Sequence, residues 1–192
     1  MRKKSHVSLS IYLVNAMDSQ LLEEHKKAFI MGSILPDCKP SFVTTKHNMT
    51  ETFEMVCEAI SQLTNASDED FRRISTAYCR KLGEVTHYLA DYFTFPHNEV
   101  FDGNIREHCS YEKHLKFALR EYIAGDDIQI PEEGTFTSTR ELLDYVRSYH
   151  RQYLATSKSV ESDCRYIVRL CYTVVVGILV LMKQNRMEMA VA

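Results

Sequence analysis

The chain has no tryptophan, no C-x-x-C pair, no apolar stretch of bilayer length and almost no surplus charge. Each of these absences removes a class of protein. A formal net charge of −3 gives no basic surface for gripping duplex nucleic acid, though it leaves nucleotides and single strands open as substrates. Without a C-x-x-C pair, a zinc ribbon or finger is excluded. The six cysteines (Cys38, Cys57, Cys79, Cys109, Cys164 and Cys171) form no compact disulfide framework. They read as mostly buried small apolar residues in a reducing compartment. The longest apolar run, Leu170 to Met182, lies between Arg169 and Lys183. It falls short of the about 20 residues that span a bilayer and reads as a buried central helix. Met1-Arg2-Lys3-Lys4 resembles the start of a signal peptide, but Ser5, His6, Ser8 and Ser10 interrupt the stretch after it and no small-residue cleavage site appears. A cytoplasmic location is the expectation.

What is present is an ordinary globular mix, 45% hydrophobic and 26% charged over 192 residues, enough for one domain with a sizeable core. Apolar periodicity predicts an all-α chain with helices near 7–17, 20–34, 50–65, 68–94, 105–124, 138–156 and 160–186. Period-two alternation is confined to a hint at Ile128–Ile130. Pro36 and Pro40 bracket Asp37, and Pro96 stops the fourth helix just before His97, because proline disfavours helix at the residue ahead of it. Gly103 breaks the chain before His108, and Gly125 to Gly134 reads as a surface connection.

Against this background one set of residues stands out. His87, Asp91, His97, His108 and Glu112 form H-x3-D-x5-H-x10-H-x3-E, with His6, Asp37 and His47 upstream. All are side-chain types that bind zinc or similar divalent ions. His87 and Asp91, and again His108 and Glu112, are four apart, which on a helix places each pair on one face. Helical proteins build metal clusters in this way from facing helices. Around His87 the same face carries Gly83, Ala90, Asp91 and Thr94, small residues where a backbone or a metal comes close. Read without a metal, it is an exposed polar face with a helix-stabilising pair. In the next helix, Glu112 and His108 fall on the stripe of Tyr111, Leu115 and Leu119, toward the core. An inward carboxylate costs several kcal/mol unless it is paired, and a metal ion resolves that cost. His6 reads as preceding the first helix, Asp37 as a turn residue. His25, His114 and His150 are assigned to the surface.

The ordered pattern resembles the metal-binding core of the zinc-dependent phospholipase C family, over roughly residues 6–114. The resemblance implies an all-helical, single-domain bundle with a fold shared by P1 and S1 type nucleases. It implies a cluster of two to three zinc ions and hydrolysis of phospholipid phosphodiesters. Carried over by position, Asp37, His47, His87 and Asp91 hold one zinc, and His97, His108 and Glu112 a second. Asp91 reaches toward a third, which His6 also holds. The secreted members complete that third site with the amino group and carbonyl of an N-terminal tryptophan, which this chain lacks.

Clustered zinc lowers the pKa of bound water to about 7 and polarises a phosphoryl oxygen. Either Asp37 or Glu112 serves as the general base in this reading, while Tyr88, Tyr111 and Glu84 are candidates to orient the imidazoles. Phe42, Tyr92, Phe93, Phe95 and Phe101 are candidates to line a lipid-facing cleft or, in at least half of the cases, to sit in the core. The substrate is then a phospholipid or another small phosphodiester met in transient contact with a membrane surface. Two alternatives carry different chemistry: a nuclease or nucleotide phosphohydrolase of the same fold, and a non-catalytic metal-binding helical protein.

Overall fold

The computed structural model describes residues 1–40, 45–66, 68–125, 128, 136–156 and 158–191. Eight α-helices account for most of them: α1 (Lys3–Ala16), α2 (Gln20–Glu24), α3 (Lys26–Gly32), α4 (Met49–Thr64), α5 (Asp68–Tyr92), α6 (Ile105–Ala124), α7 (Thr139–Ala155) and α8 (Val160–Val191). Short 3-10 turns cover Pro36–Cys38 and Phe95–His97. No strand occurs among the described residues, so the chain is all-α. Ile128 is not in a strand, and the rest of the Ile128–Ile130 hint lies outside them.

Local signals set the helix boundaries. The Asn48 side chain accepts the Glu51 N–H to start α4, and Ser138 accepts the Glu141 N–H to start α7. Asn104 and Glu107 form a capping box at the start of α6. Three boundaries differ clearly from the sequence expectation, the last helix running on to Val191 rather than ending at 186. The span 20–34 is two helices meeting at His25, which ends α2 and begins α3. The first helix begins at Lys3, so His6 lies inside α1 rather than ahead of it.

α8 is the central helix. Ile167, Leu170, Cys171, Val174, Val175 and Ile178 are fully buried where it packs against α4, α5, α6 and α7. Each such aliphatic side chain contributes about 1.5–3 kcal/mol. Against the expectation that the apolar run falls short of a bilayer span, the α8 stretch Val160–Glu188 is long and apolar enough to cross one; 67% of its apolar window is buried inside the bundle. Of the two cysteines beside proposed ligands, Cys38 and Cys109 are both exposed, while Cys79, Cys164 and Cys171 are core residues.

α3 and α5 cross at backbone contact. A Cβ on Gly83 would lie 2.1 Å from the Phe29 carbonyl oxygen, and one on Gly32 would lie 1.9 Å from that of Arg80. Neither contact can be relieved by a side-chain movement. The small face of α5 is therefore a backbone seat, and it presses His87, one turn after Gly83, against Ser33 at the end of α3.

Candidate metal centre

Four elements deliver the first of the predicted ligands to one place. α5 brings His87 and Asp91, α1 brings His6, and the 3-10 turn at Pro36–Cys38 brings Asp37. The residue before the α4 cap is His47. The turn after α5, stopped by Pro96, holds His97, and the first two turns of α6 hold His108 and Glu112. Two groups of potential ligand atoms result, each with its members within 4.8 Å of one another: Asp37, His47, His87 and Asp91, then His97, His108 and Glu112.

Their spacings suit an ion. Four donors about 2.0–2.1 Å from one tetrahedral zinc lie about 3.3 Å apart. In the first group, His87 Nε2 lies 2.9 Å from His47 Nδ1, 3.3 Å from Asp91 Oδ2 and 3.6 Å from Asp37 Oδ1. His47 Nδ1 is 3.1 Å from Asp91 Oδ2 and 3.8 Å from Asp37 Oδ1. In the second group, His97 Nε2 and His108 Nε2 both stand 3.2 Å from Glu112 Oε1. Asp91 joins the groups, since His97 Nδ1 is 3.7 Å from its Oδ2. Its other oxygen faces His6 Nε2 at 3.3 Å. That nitrogen is fully buried and has no hydrogen-bond partner among the described residues, as expected of a side chain held for a cation.

Backbone carbonyls orient the imidazoles. His87 Nδ1 is 2.8 Å from the Ser33 carbonyl and His97 Nδ1 is 3.2 Å from the His47 carbonyl. A carbonyl can only accept, so each Nδ1 carries the proton and each Nε2 turns its lone pair toward the carboxylates. Of the candidates named for this task, Tyr111 donates to Asp163 and Glu84 pairs with Lys39, while Tyr88 packs its ring edgewise on His47 and His87.

The electrostatics arise from burial and crowding. Burial alone would raise Asp91, but the Met1 amino group, His97, His87 and His6 outweigh it and hold the carboxyl well below its usual range. Burial likewise opposes Glu112, and its neighbours His108, His97 and the Met1 amino group overcome it. Burial raises Asp37, and it pushes His6 down to about 3, so His6 is a neutral donor at physiological pH.

The sequence reading missed one group. The α-amino group of Met1 is fully buried, 2.5 Å from Asp91 Oδ1, 3.2 Å from His97 Nε2 and 3.3 Å from Glu112 Oε1. A search for a tryptophan overlooks it because the group concerned belongs to the backbone, which every residue type carries. Burial disfavours its charge, but Asp91 and Glu112 win, and a positive charge sits where the donors of both groups converge.

The ligands open onto a cavity of about 740 Å³. Asp37, His47, His97, His108 and Glu112 form part of its lining, with Phe101, Ile105 and Pro96 on an apolar side and Arg2, Lys3 and Lys46 supplying positive charge. Of the aromatics proposed for the cleft, only Phe101 lines this cavity among the described residues. Tyr92 and Phe93 are fully buried core residues, Phe95 packs on Phe101 and Tyr111, and Phe42 lies outside the described residues. His150, assigned to the surface, is buried. Its Nε2 donates to the Tyr92 carbonyl and to Asn98 Oδ1. His114 is exposed as expected, and His25 is half-buried beside Thr76.

The fold and this centre define an all-α protein with a multidentate histidine–carboxylate site. A family model for zinc dependent phospholipase C matches residues 5–160, and the chain belongs to that family. No curated protein and no solved structure gives a significant match.

Proposed function

We propose that this chain is a phosphodiesterase of phospholipase C type that hydrolyses a phospholipid with the help of a di- or trinuclear zinc cluster. The observation that carries the reading is the convergence of two donor groups, joined through Asp91, at a cavity lined by both apolar and cationic residues. Asp37, His47, His87 and Asp91 hold one ion in this reading, and His97, His108 and Glu112 a second. His6 and Asp91 serve a third and, in a chain that begins at Met1, the α-amino group joins them on giving up its proton.

Bound zinc supplies an acidified water and a polarised phosphoryl oxygen. The remaining work falls to the chain. The Ser33 and His47 carbonyls keep the His87 and His97 lone pairs aimed inward, so the cluster needs no reorganisation during the reaction. Asp37 or Glu112, each on the cavity wall, takes the water's proton. Phe101 and Ile105 seat the glyceryl and upper acyl portion, while Arg2, Lys3 and Lys46 draw the phosphate inward.

The test has two parts. Protein purified without chelator should carry two or three zinc equivalents by elemental mass spectrometry. It should also release phosphorylated head group from phospholipid dispersions faster than it turns over nucleotides or single-stranded oligomers. Turnover of the nucleotides alone would move the substrate to the nuclease reading. Zinc without turnover of any phosphodiester would leave a non-catalytic metal protein.

A further inference from the structure

Asp163 lies beyond the stretch that matches the family, on the first turn of α8, and is fully buried. Its hydrogen bonds go to residues other than the proposed ligands. Its Oδ2 accepts two, from the Phe95 backbone N–H at 2.8 Å and the Tyr111 hydroxyl at 2.9 Å. Its Oδ1 accepts a third from the Tyr153 hydroxyl at 2.8 Å. Phe95 is two residues ahead of His97, in the same 3-10 turn, and Tyr111 immediately precedes Glu112 on α6. A single carboxylate oxygen therefore ties together the two segments that carry the second donor group.

The geometry points to Asp163 as a positioning residue that fixes His97 and Glu112 relative to one another and so sets the affinity of the second zinc site. The inference rests on the reading that His97, His108 and Glu112 hold zinc. Its logic is one of reach. The 3-10 turn and α6 are separate elements whose ligand atoms must stay 3.2 Å apart. His97 is oriented through its Nδ1 by the His47 carbonyl, but that contact does not fix the turn relative to α6. The Asp163 clamp does. None of the three Asp163 hydrogen bonds reaches the segments of the first donor group, where His87 and Asp91 share α5, His87 is held by the Ser33 carbonyl at the end of α3, and Asp37 and His47 arrive on the Pro36–Cys38 turn and just before the α4 cap. Burial raises the Asp163 carboxyl to about 6 against the pull of its three hydrogen bonds, as befits a group placed for geometry rather than for solvation.

Tyr153 provides the internal control. Tyr111→Phe and Tyr153→Phe each delete one hydroxyl bonded to Asp163, and only the first leads to a ligand-bearing segment. Zinc binding to the full chain would be titrated in competition with a chromophoric chelator for wild type, Asp163→Ala, Tyr111→Phe, Tyr153→Phe and His108→Ala. Asp163→Ala and Tyr111→Phe should weaken one zinc equivalent up to about 10-fold, the low end of what losing a partner bonded directly to a ligand costs. That equivalent should be the one removed by His108→Ala, so that combining Tyr111→Phe with His108→Ala gives no further loss. Tyr153→Phe should lower the melting temperature without moving any zinc affinity. The inference is overturned if Asp163→Ala and Tyr111→Phe bind zinc as wild type does, or if Tyr153→Phe weakens it as much as Tyr111→Phe. If Asp163→Ala does not fold, the two tyrosine variants decide the matter. A wild-type chain that binds no zinc sinks the metal reading and this inference with it.

Discussion

The two donor groups are built on different principles. Side chains of the first are sealed: His87 is 0% exposed, Asp91 1%, His47 5% and Asp37 6%. Those of the second are open: His97 is 13% exposed, Glu112 15% and His108 28%. Half of the first, His87 and Asp91, is anchored on one long helix wedged at glycine contact on its neighbour, with Asp37 and His47 added from a turn and a cap. The second is assembled from a turn and a helix that different side chains hold in place. A sealed set resists loss of its ion, while an open set on a cavity can exchange water and meet substrate. In the proposed reading the second group faces the substrate with its whole set, while the first meets the cavity only through Asp37 and His47.

The largest effect should come from breaking the link between them. Asp91 faces His47, His87, His97, His6 and the Met1 amine, so Asp91→Ala should disorganise both groups. Phosphodiesterase activity should fall by at least the about 10²–10³-fold that loss of one charge-stabilising donor costs. Zinc content should drop by more than one equivalent. If Asp91→Ala kept the full zinc complement, the two groups would be independent and the comparison would fail.

A smaller effect should touch only the sealed group. In Gly83→Ala the new methyl meets the Phe29 carbonyl at 2.1 Å, a backbone atom, so α3 and α5 must separate. Overpacking of this kind costs about 1–3 kcal/mol. Because Ser33 and His87 face each other across that seam, zinc in the first group should weaken while zinc in the second is retained. Selective loss from the second group instead would show that the crossing does not govern the first.

The two groups also differ in how far the sequence discloses them. Ligand spacing on α5 and α6 is readable because helical geometry converts a four-residue interval into a shared face. The small residues around His87 are readable for the same reason, and they mark the α3 seat. Support arriving from a distance is what the sequence does not disclose. Asp163 and His150 sit in a region that otherwise reads only as helix and core, and each reaches more than fifty residues back along the chain. Hydropathy carries no signal for such a contact, since a polar residue within an amphipathic helix looks solvated until its partners are known. The Met1 amine is invisible for a different reason, being a property of position rather than of side chain.

His150 gives the test with the least effect at neutral pH, and it bears on the turn that carries His97 of the open group. It donates to the Tyr92 carbonyl and to Asn98 Oδ1, and Asn98 in turn donates to the Tyr92 and Thr94 carbonyls at the turn leading to His97. Burial, the largest influence, pushes His150 from 6.5 down to about 4. The folded chain therefore binds this proton less readily than the unfolded chain. Stability from His150 is fully present above about pH 6.5 and is lost as the pH falls through that value toward 4. Over the whole interval the loss is on the order of 3 kcal/mol, since a tenfold change in proton affinity is worth about 1.4 kcal/mol. His150→Gln keeps a donor but cannot titrate. Metal-free wild type and His150→Gln should therefore show diverging melting temperatures between pH 6.5 and 4, with the variant losing less stability on acidification. Parallel curves would mean that His150 meets solvent, and that the turn carrying His97 owes its position to Asn98 and Asp163 without it.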